Sequence, residues 1–237
     1  MFLAPYYQQK EEGIEISTDQ ASRFAKDVAG DFNPIHDAEA KRFCVPGDLL
    51  FAIVLEKYGL NQRMVFKFTG MVGKETTLTF PKTDDAEFAI IGHRGKTYLE
   101  VERSGEASHD QAQIEMLTRD YVAFSGRNFP HILAPLMKKH NVMINVDRPL
   151  VIYESMSFDL VRLNFNNPTL ELAESTLEVS GKRGDAELHF DVMSEGERVG
   201  HGFKKLVLSG LREYDDAGMQ HMIDLYEERK VVFQKNA

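Results

Sequence analysis

Seven consecutive apolar residues, Leu49-Leu50-Phe51-Ala52-Ile53-Val54-Leu55, constrain this chain more than any other feature. Pro46-Gly47 precedes them and Gly59 follows, the punctuation of a helix that opens at a proline and closes at a glycine. A helix of that composition is apolar on every side, so no face of it can be left to water. The run is far too short for a bilayer, which needs about 20 apolar residues. The covering has to come from the rest of the chain.

The following residues can supply it. After Gly59 the hydrophobic period changes to two. Met64–Phe68, Thr77–Phe80, Phe88–Ile91 and Tyr98–Glu102 read as strands, with Gly92-His93-Arg94-Gly95 as a hairpin turn. Upstream, Gly13–Ile16 alternates like a short strand, and Ser17 with Gln20 is a capping-box signature. Ala21, Phe24, Ala25 and Val28 then share one helical face, and Gly30 ends that helix.

This order occurs twice. Ile114, Leu117, Tyr121 and Phe124 mark a second helix ended by Gly126, and a shorter apolar helix follows near Ile132–Lys139. Strands are predicted at Leu150–Tyr153, Leu170–Val179, Ala186–Met193 and Phe203–Leu208. Their turns fall at Gly181-Lys182-Arg183-Gly184 and Glu195-Gly196-Glu197. Each copy spans roughly 100 residues, an ordinary domain size. The expected division is 1–108 and 109–212, with a join near Ser104–Asp110 where composition turns polar. In the tail, 213–237, Met219, Met222, Ile223 and Tyr226 share a helical face. That helix is expected to cover a sheet edge or meet a partner subunit. Its other face is acidic, which disfavours a membrane role.

Composition narrows the function classes. At 237 residues the chain can bury a sizeable core. Net charge is -9 with no Lys/Arg-rich run, which disfavours nucleic-acid and anionic-membrane partners because both need clustered cations. Cys44 is the only cysteine, so no intrachain disulfide can form and a reducing, cytoplasmic setting is expected. The N-terminal segment, Met1-Phe2-Leu3-Ala4-Pro5-Tyr6, predicts no signal peptide. No phosphate-binding glycine fingerprint and no His/Cys spacing suited to a metal is found.

The chemistry concentrates in Gly30-Asp31-Phe32-Asn33-Pro34-Ile35-His36, between the two helices of the first copy. Asn33-Pro34 favours a tight turn that would bring Asp31 back toward His36. A carboxylate and an imidazole can hold one water, take its proton and deliver a proton to a neighbouring carbon. Gly47, at the mouth of the apolar helix, offers an N–H unobstructed by a side chain for an oxygen that gains negative charge. The same residues are also ordinary loop chemistry: a helix stop, then a turn whose side chains cap backbone amides.

Gly30–His36 resembles the signature of the MaoC-like, R-specific enoyl-CoA hydratases, a hot-dog-fold family. The context agrees: a helix before, an apolar helix after, then Phe66-Lys67-Phe68-Thr69-Gly70-Met71-Val72 leading into antiparallel strands. The likeness is close over residues 10–105 and one of pattern over 111–210. The whole chain is also similar to a group of bacterial proteins of like length. The resemblance implies an α+β double hot-dog, in which each central helix is wrapped by a curved antiparallel sheet. It further implies hydration of a trans-2-enoyl thioester, or the reverse, with Asp31 and His36 handling water and protons. Gly47 would polarise the thioester carbonyl, Asn33 would orient the turn, and Phe51 would touch the substrate. No cofactor is expected beyond the coenzyme A or acyl-carrier portion of the substrate.

Three departures from the family pattern bear on activity. Pro46-Gly47 stands where the family usually reads His-Gly, Asp48 stands where it reads an apolar residue, and Leu49–Leu55 lacks a serine often present. Asp48 is expected to cap the helix; alternatively it is the base or nucleophile of a hot-dog acyl-CoA thioesterase. A third possibility is a non-enzymatic acyl-thioester-binding or scaffold protein. In the second copy Gly126-Arg127 replaces Gly30-Asp31, and His131 lacks a carboxylate partner. One active site per chain is therefore expected, with the second copy shaping the acyl tunnel and His131 packing in a turn or core. Arg127 and Lys138-Lys139 read as solvated surface, Cys44 as packing, and the chain as a monomer or homodimer.

Overall fold

The computed structural model describes residues 1–146 and 148–236. The first half contains β1 (Gln8–Lys10), β2 (Gly13–Glu15), α1 (Thr18–Arg23), α2 (Gly47–Tyr58), β3 (Leu60–Phe68), β4 (Thr77–Thr79), β5 (Glu87–Gly92) and β6 (Thr97–Ser108). The second contains α3 (Gln111–Gly126), α4 (Asn128–His131), α5 (Leu133–Lys139), β7 (Val142–Met143) and β8 (Val151–Leu160). It continues with β9 (Thr169–Ser180), β10 (Arg183–Ser194), β11 (Glu197–Ser209), β12 (Arg212–Glu213) and the terminal helix α6 (Asp216–Asn236).

The apolar run lies in α2 and is covered as its composition requires: each residue from Leu49 to Leu55 is at most 2% exposed. Burying one such side chain stabilises by about 1.5–3 kcal/mol. Its covering comes from Phe24 and Ala21 of α1 and its continuation, from Met64, Phe66, Ile90, Leu99 and Val101 of the sheet, and from Ile114, Leu117 and Tyr121 of α3. A second cluster surrounds α5, where Leu133, Leu136 and Met137 meet Leu177, Leu188, Leu206 and Leu208.

Ten strands form one antiparallel sheet in the order β1-β2-β4-β5-β6-β3-β8-β11-β10-β9. The halves join along β3 and β8, in register from Arg63↔Asp159 to Lys67↔Ser155. With a helix held against each half, this is the α+β double hot-dog.

The polar stretch Ser104–Ser108 belongs to β6 and pairs with the start of β3. Most of it is exposed while its backbone stays in the ladder, and α3 follows from Gln111. Several local expectations need correction. Arg183, Gly184 and Glu197 belong to strands, leaving Gly181-Lys182 and Glu195-Gly196 as two-residue turns. Beyond α1 the backbone widens into π turns over Phe24–Ala29 before Gly30 closes it at φ 64°. His131 is exposed, not packed in a core.

Candidate active site

The two halves meet around a cavity of about 350 Å³. The Asp31–His36 turn, the start of α2 and the Phe68–Val72 loop line it from the first half. Ser125, Asn128, Tyr153 and Lys204 line it from the second, and one face of α6 closes it with Met222, Tyr226 and Arg229. The size suits a small-molecule site.

Local backbone chemistry places Asp31. The N–H groups of Gly30 and Asp31 both donate to the Ala25 carbonyl, a consequence of the widened helix end. The Asp31 side chain then folds over its own turn, with Oδ1 accepting from the Asn33 N–H at 2.9 Å. Asn33 Oδ1 accepts from the Ile35 N–H at 3.2 Å and so caps the short turn Pro34–His36. Pro34 fits the first position of that turn because it needs no N–H there. Asn33 therefore orients the turn through its side chain and holds Asp31 through its backbone.

His36 Nδ1 lies 2.7 Å from the Cys44 carbonyl oxygen. A carbonyl only accepts, so Nδ1 carries the proton and the neutral ring presents its lone pair at Nε2. Nε2 stands 3.6 Å from Asp31 Oδ2. That is longer than a direct hydrogen bond and is a span that one bridging water can occupy. Two acceptors facing each other at that distance suit the two O–H groups of a single water. The Cys44 carbonyl, which fixes this tautomer, left no trace in the residue pattern. The Cys44 thiol donates to the Val45 carbonyl, and burial pushes its pKa up to about 11. Iodoacetamide is expected to modify the folded protein far more slowly than the protein in urea; equal rates would show that the thiol is open.

Gly47 opens α2, and its N–H has no acceptor within the helix. A Cβ here would stand 2.9 Å from Tyr153 Cδ1 and 3.1 Å from Phe68 Cε1, so the close approach of two rings demands glycine. Phe51, expected at the substrate, packs instead in the core, with ring centroids 4.7 Å from Tyr121 and 5.1 Å from Phe66.

Asp48 does not cap α2, which has no side-chain cap at its N-terminus. Its carboxyl turns toward the second half, where Ser125 donates to Oδ2 at 2.5 Å. Lys204 donates in turn to Ser125 Oγ. Burial raises the Asp48 pKa above the usual carboxylate range, against the opposing pull of Lys204 and Ser125. Two buried oxygens in the cavity wall, Asp48 Oδ1 and Asn128 Oδ1, have no hydrogen-bond partner among the described residues. Ser125, Tyr153 and Lys204 were missed from sequence, although a signal existed: Lys204 is in phase with Leu206 and Leu208 on the inward side of β11.

The terminal helix docks over the cavity mouth. The Tyr226 hydroxyl lies 3.1 Å from the Gly30 carbonyl and 3.0 Å from that of Gly126, so it ties both corresponding helix ends to α6. Asp37 bridges Lys26 at 2.9 Å and Arg229 at 2.5 Å. Lys138 is on the surface, paired with Asp216, and Arg127 is exposed.

A family model described as "Protein of unknown function (DUF3581)" matches residues 1–217. No curated protein matches the chain. Among solved structures, the chain is similar to the acyl-CoA thioesterase II TesB2 from Mycobacterium marinum. Identity is 8% and the TM-score 0.41, over 72% of this chain and 90% of that one. It is also similar to a putative thioesterase II from Thermobifida fusca, at 12% identity and TM-score 0.40, over 76% of this chain and 91% of that one.

Proposed function

The chain belongs to the DUF3581 family, and from its site we propose an enzyme that acts on an acyl thioester, an enoyl-thioester hydratase or dehydratase of the R-specific kind. The observation that carries this reading is the Asp31–His36 pair, with Oδ2 and Nε2 3.6 Å apart and the imidazole tautomer fixed by Cys44. A water between them gives one O–H to each. As its oxygen attacks the β-carbon, one of the two groups takes the released proton and the electrons of the double bond move to the thioester oxygen. The Gly47 N–H holds that oxygen. A proton from the pair then goes to the α-carbon, and the pair returns to its starting state. Leu50 of α2, with Phe68, Val72 and Leu206, gives the cavity apolar lining beside the pair, and such interactions are stronger there than in bulk water.

The test is the loss of conjugated enoyl-thioester absorbance on adding protein, across several chain lengths. A falling signal with formation of the 3-hydroxyacyl thioester is expected; no turnover at any length would sink the reading. A second reading, thioester hydrolysis, is the activity named for the similar solved structures, and Asp48 would serve it from the same cavity wall. Asp48 is 7% exposed as a residue, with Oδ1 buried and Oδ2 engaged by Ser125, a poor posture for a nucleophile. Release of free thiol that survives His36→Ala but not Asp48→Ala would favour hydrolysis over hydration.

A further inference from the structure

The hydration chemistry above leaves three buried groups unused. Asp48, Ser125 and Lys204 come from α2, α3 and β11, so both halves contribute. Lys204 is 3% exposed, Ser125 6% and Asp48 7%. They form a chain in which Lys204 donates to Ser125 and Ser125 donates to Asp48. The ammonium also stands 4.0 Å from the centroid of the Tyr153 ring, the ring against which Gly47 packs. An ammonium has three donors, and Ser125 is the one hydrogen-bond acceptor Lys204 has among the described residues. Burying a cation with so little compensation is costly, and a cost of that kind usually marks a use.

The use follows from where Asp48 sits. A carboxylate in the first turn of a helix ordinarily turns onto the N–H groups that open it. At Asp48 that posture would occupy the donors a thioester oxygen needs and would set a negative charge against a developing one. Here the carboxyl is drawn the other way, to Ser125. We propose that Lys204 is a positioning residue for the thioester oxygen: through Ser125 it holds the Asp48 carboxyl off the Gly47 N–H and balances its charge. The start of α2 is thereby left open to an oxygen that becomes negative. This rests on the hydratase reading above, in which the Asp48 carboxyl takes no part in the chemistry. Burial pushes Asp48 up and Lys204 down, and the charge of each opposes the other's shift.

The experiment pairs turnover with a readout that needs none. The carbonyl stretch of a saturated acyl-CoA, carbon-13 labelled at the thioester, is recorded free and bound by infrared difference spectroscopy. The samples are wild type, Lys204→Met, Ser125→Ala and the double variant Lys204→Met/Asp48→Ala. Binding to wild type is expected to lower the stretch. Lys204→Met is expected to abolish that shift and to reduce kcat about 10²-fold, the scale of one lost oxyanion donor, with KM far less affected. The double variant, which removes the carboxyl as well, regains the shift and most of kcat. An unchanged stretch in Lys204→Met, or a double variant no better than the single one, overturns the proposal. Should Lys204→Met fail to fold, Ser125→Ala cuts the same chain, and an unchanged stretch there is equally decisive. If wild type does not hydrate enoyl thioesters while the bound stretch still answers to Lys204, the hydratase reading fails alone. If wild type binds no acyl-CoA, both fall.

Discussion

Asp31→Asn is expected to lower hydration turnover by about 10²- to 10⁴-fold, the range for a lost acid–base group, while leaving the fold intact. The substitution keeps size and shape. An asparagine oxygen can still accept from the Asn33 N–H, the bond that shapes the turn at 2.9 Å. What changes is the second oxygen, which faces His36 Nε2 at 3.6 Å. An amide NH₂ there puts donors where the water needs an acceptor and removes the negative charge. Initial rates by enoyl absorbance, alongside thermal unfolding, check this. His36→Ala should lose as much activity, but it also leaves the Cys44 carbonyl without its 2.7 Å donor, so its melting temperature should fall further. Full activity in Asp31→Asn would remove the pair from the mechanism.

The second large effect lies at a residue with no side chain to take part in the chemistry. Gly126 closes α3 against the end of the first half's π-widened helix. A Cβ built on it would stand 1.9 Å from the Ala29 carbonyl oxygen and 3.2 Å from the Asp31 backbone nitrogen. These are backbone atoms, which cannot swing aside as a flexible side chain can. Gly126→Ala must push the Ala29–Asp31 turn away or unseat α3. Overpacking of this kind costs about 1–3 kcal/mol, and each kcal/mol corresponds to roughly 2–4 °C in a chain of this length. A displacement of about 1 Å at a catalytic group can cost about 10²-fold in rate. The expected result is a melting temperature lower by several degrees together with a turnover loss out of proportion to it. Unchanged values in both measurements would show that the two helix ends do not constrain each other.

The same contact explains why some of the site was legible in sequence and some was not. Features set by neighbours in the chain could be read directly. The all-round apolarity of Leu49–Leu55 predicted a wrapped helix, and Gly30, Gly47 and Gly59 marked its boundaries and the turn before it. The Asn33-Pro34 turn that faces Asp31 toward His36 was local too. Features set by distant elements could not be read. The Cys44 carbonyl that fixes the imidazole has no side-chain signature, since every residue carries one. Asp48 read as a helix cap because first-turn acids usually are, and only the arrival of Ser125 from α3 reverses its direction. Phe51 could not be assigned from its helix alone, because the aromatic neighbours that bury it come from β3 and α3. Lys204 was the exception that a stricter reading would catch: a lysine in step with Leu206 and Leu208 breaks the inward apolar pattern of its strand.

The continuous sheet through β3 and β8 has a consequence for how this site can vary. When two identical subunits pair edge to edge, every residue appears twice, and a substitution that improves one site alters its symmetry mate equally. Here the two pairing units are encoded separately. Asp31 could be kept in one while Arg127 stands at the matching place in the other. Lys204 could be introduced facing Asp48 without a second copy being forced into a mirrored position. A covalent duplication thus releases each half from the obligations of the other, and a buried cation too costly to carry twice need be carried only once.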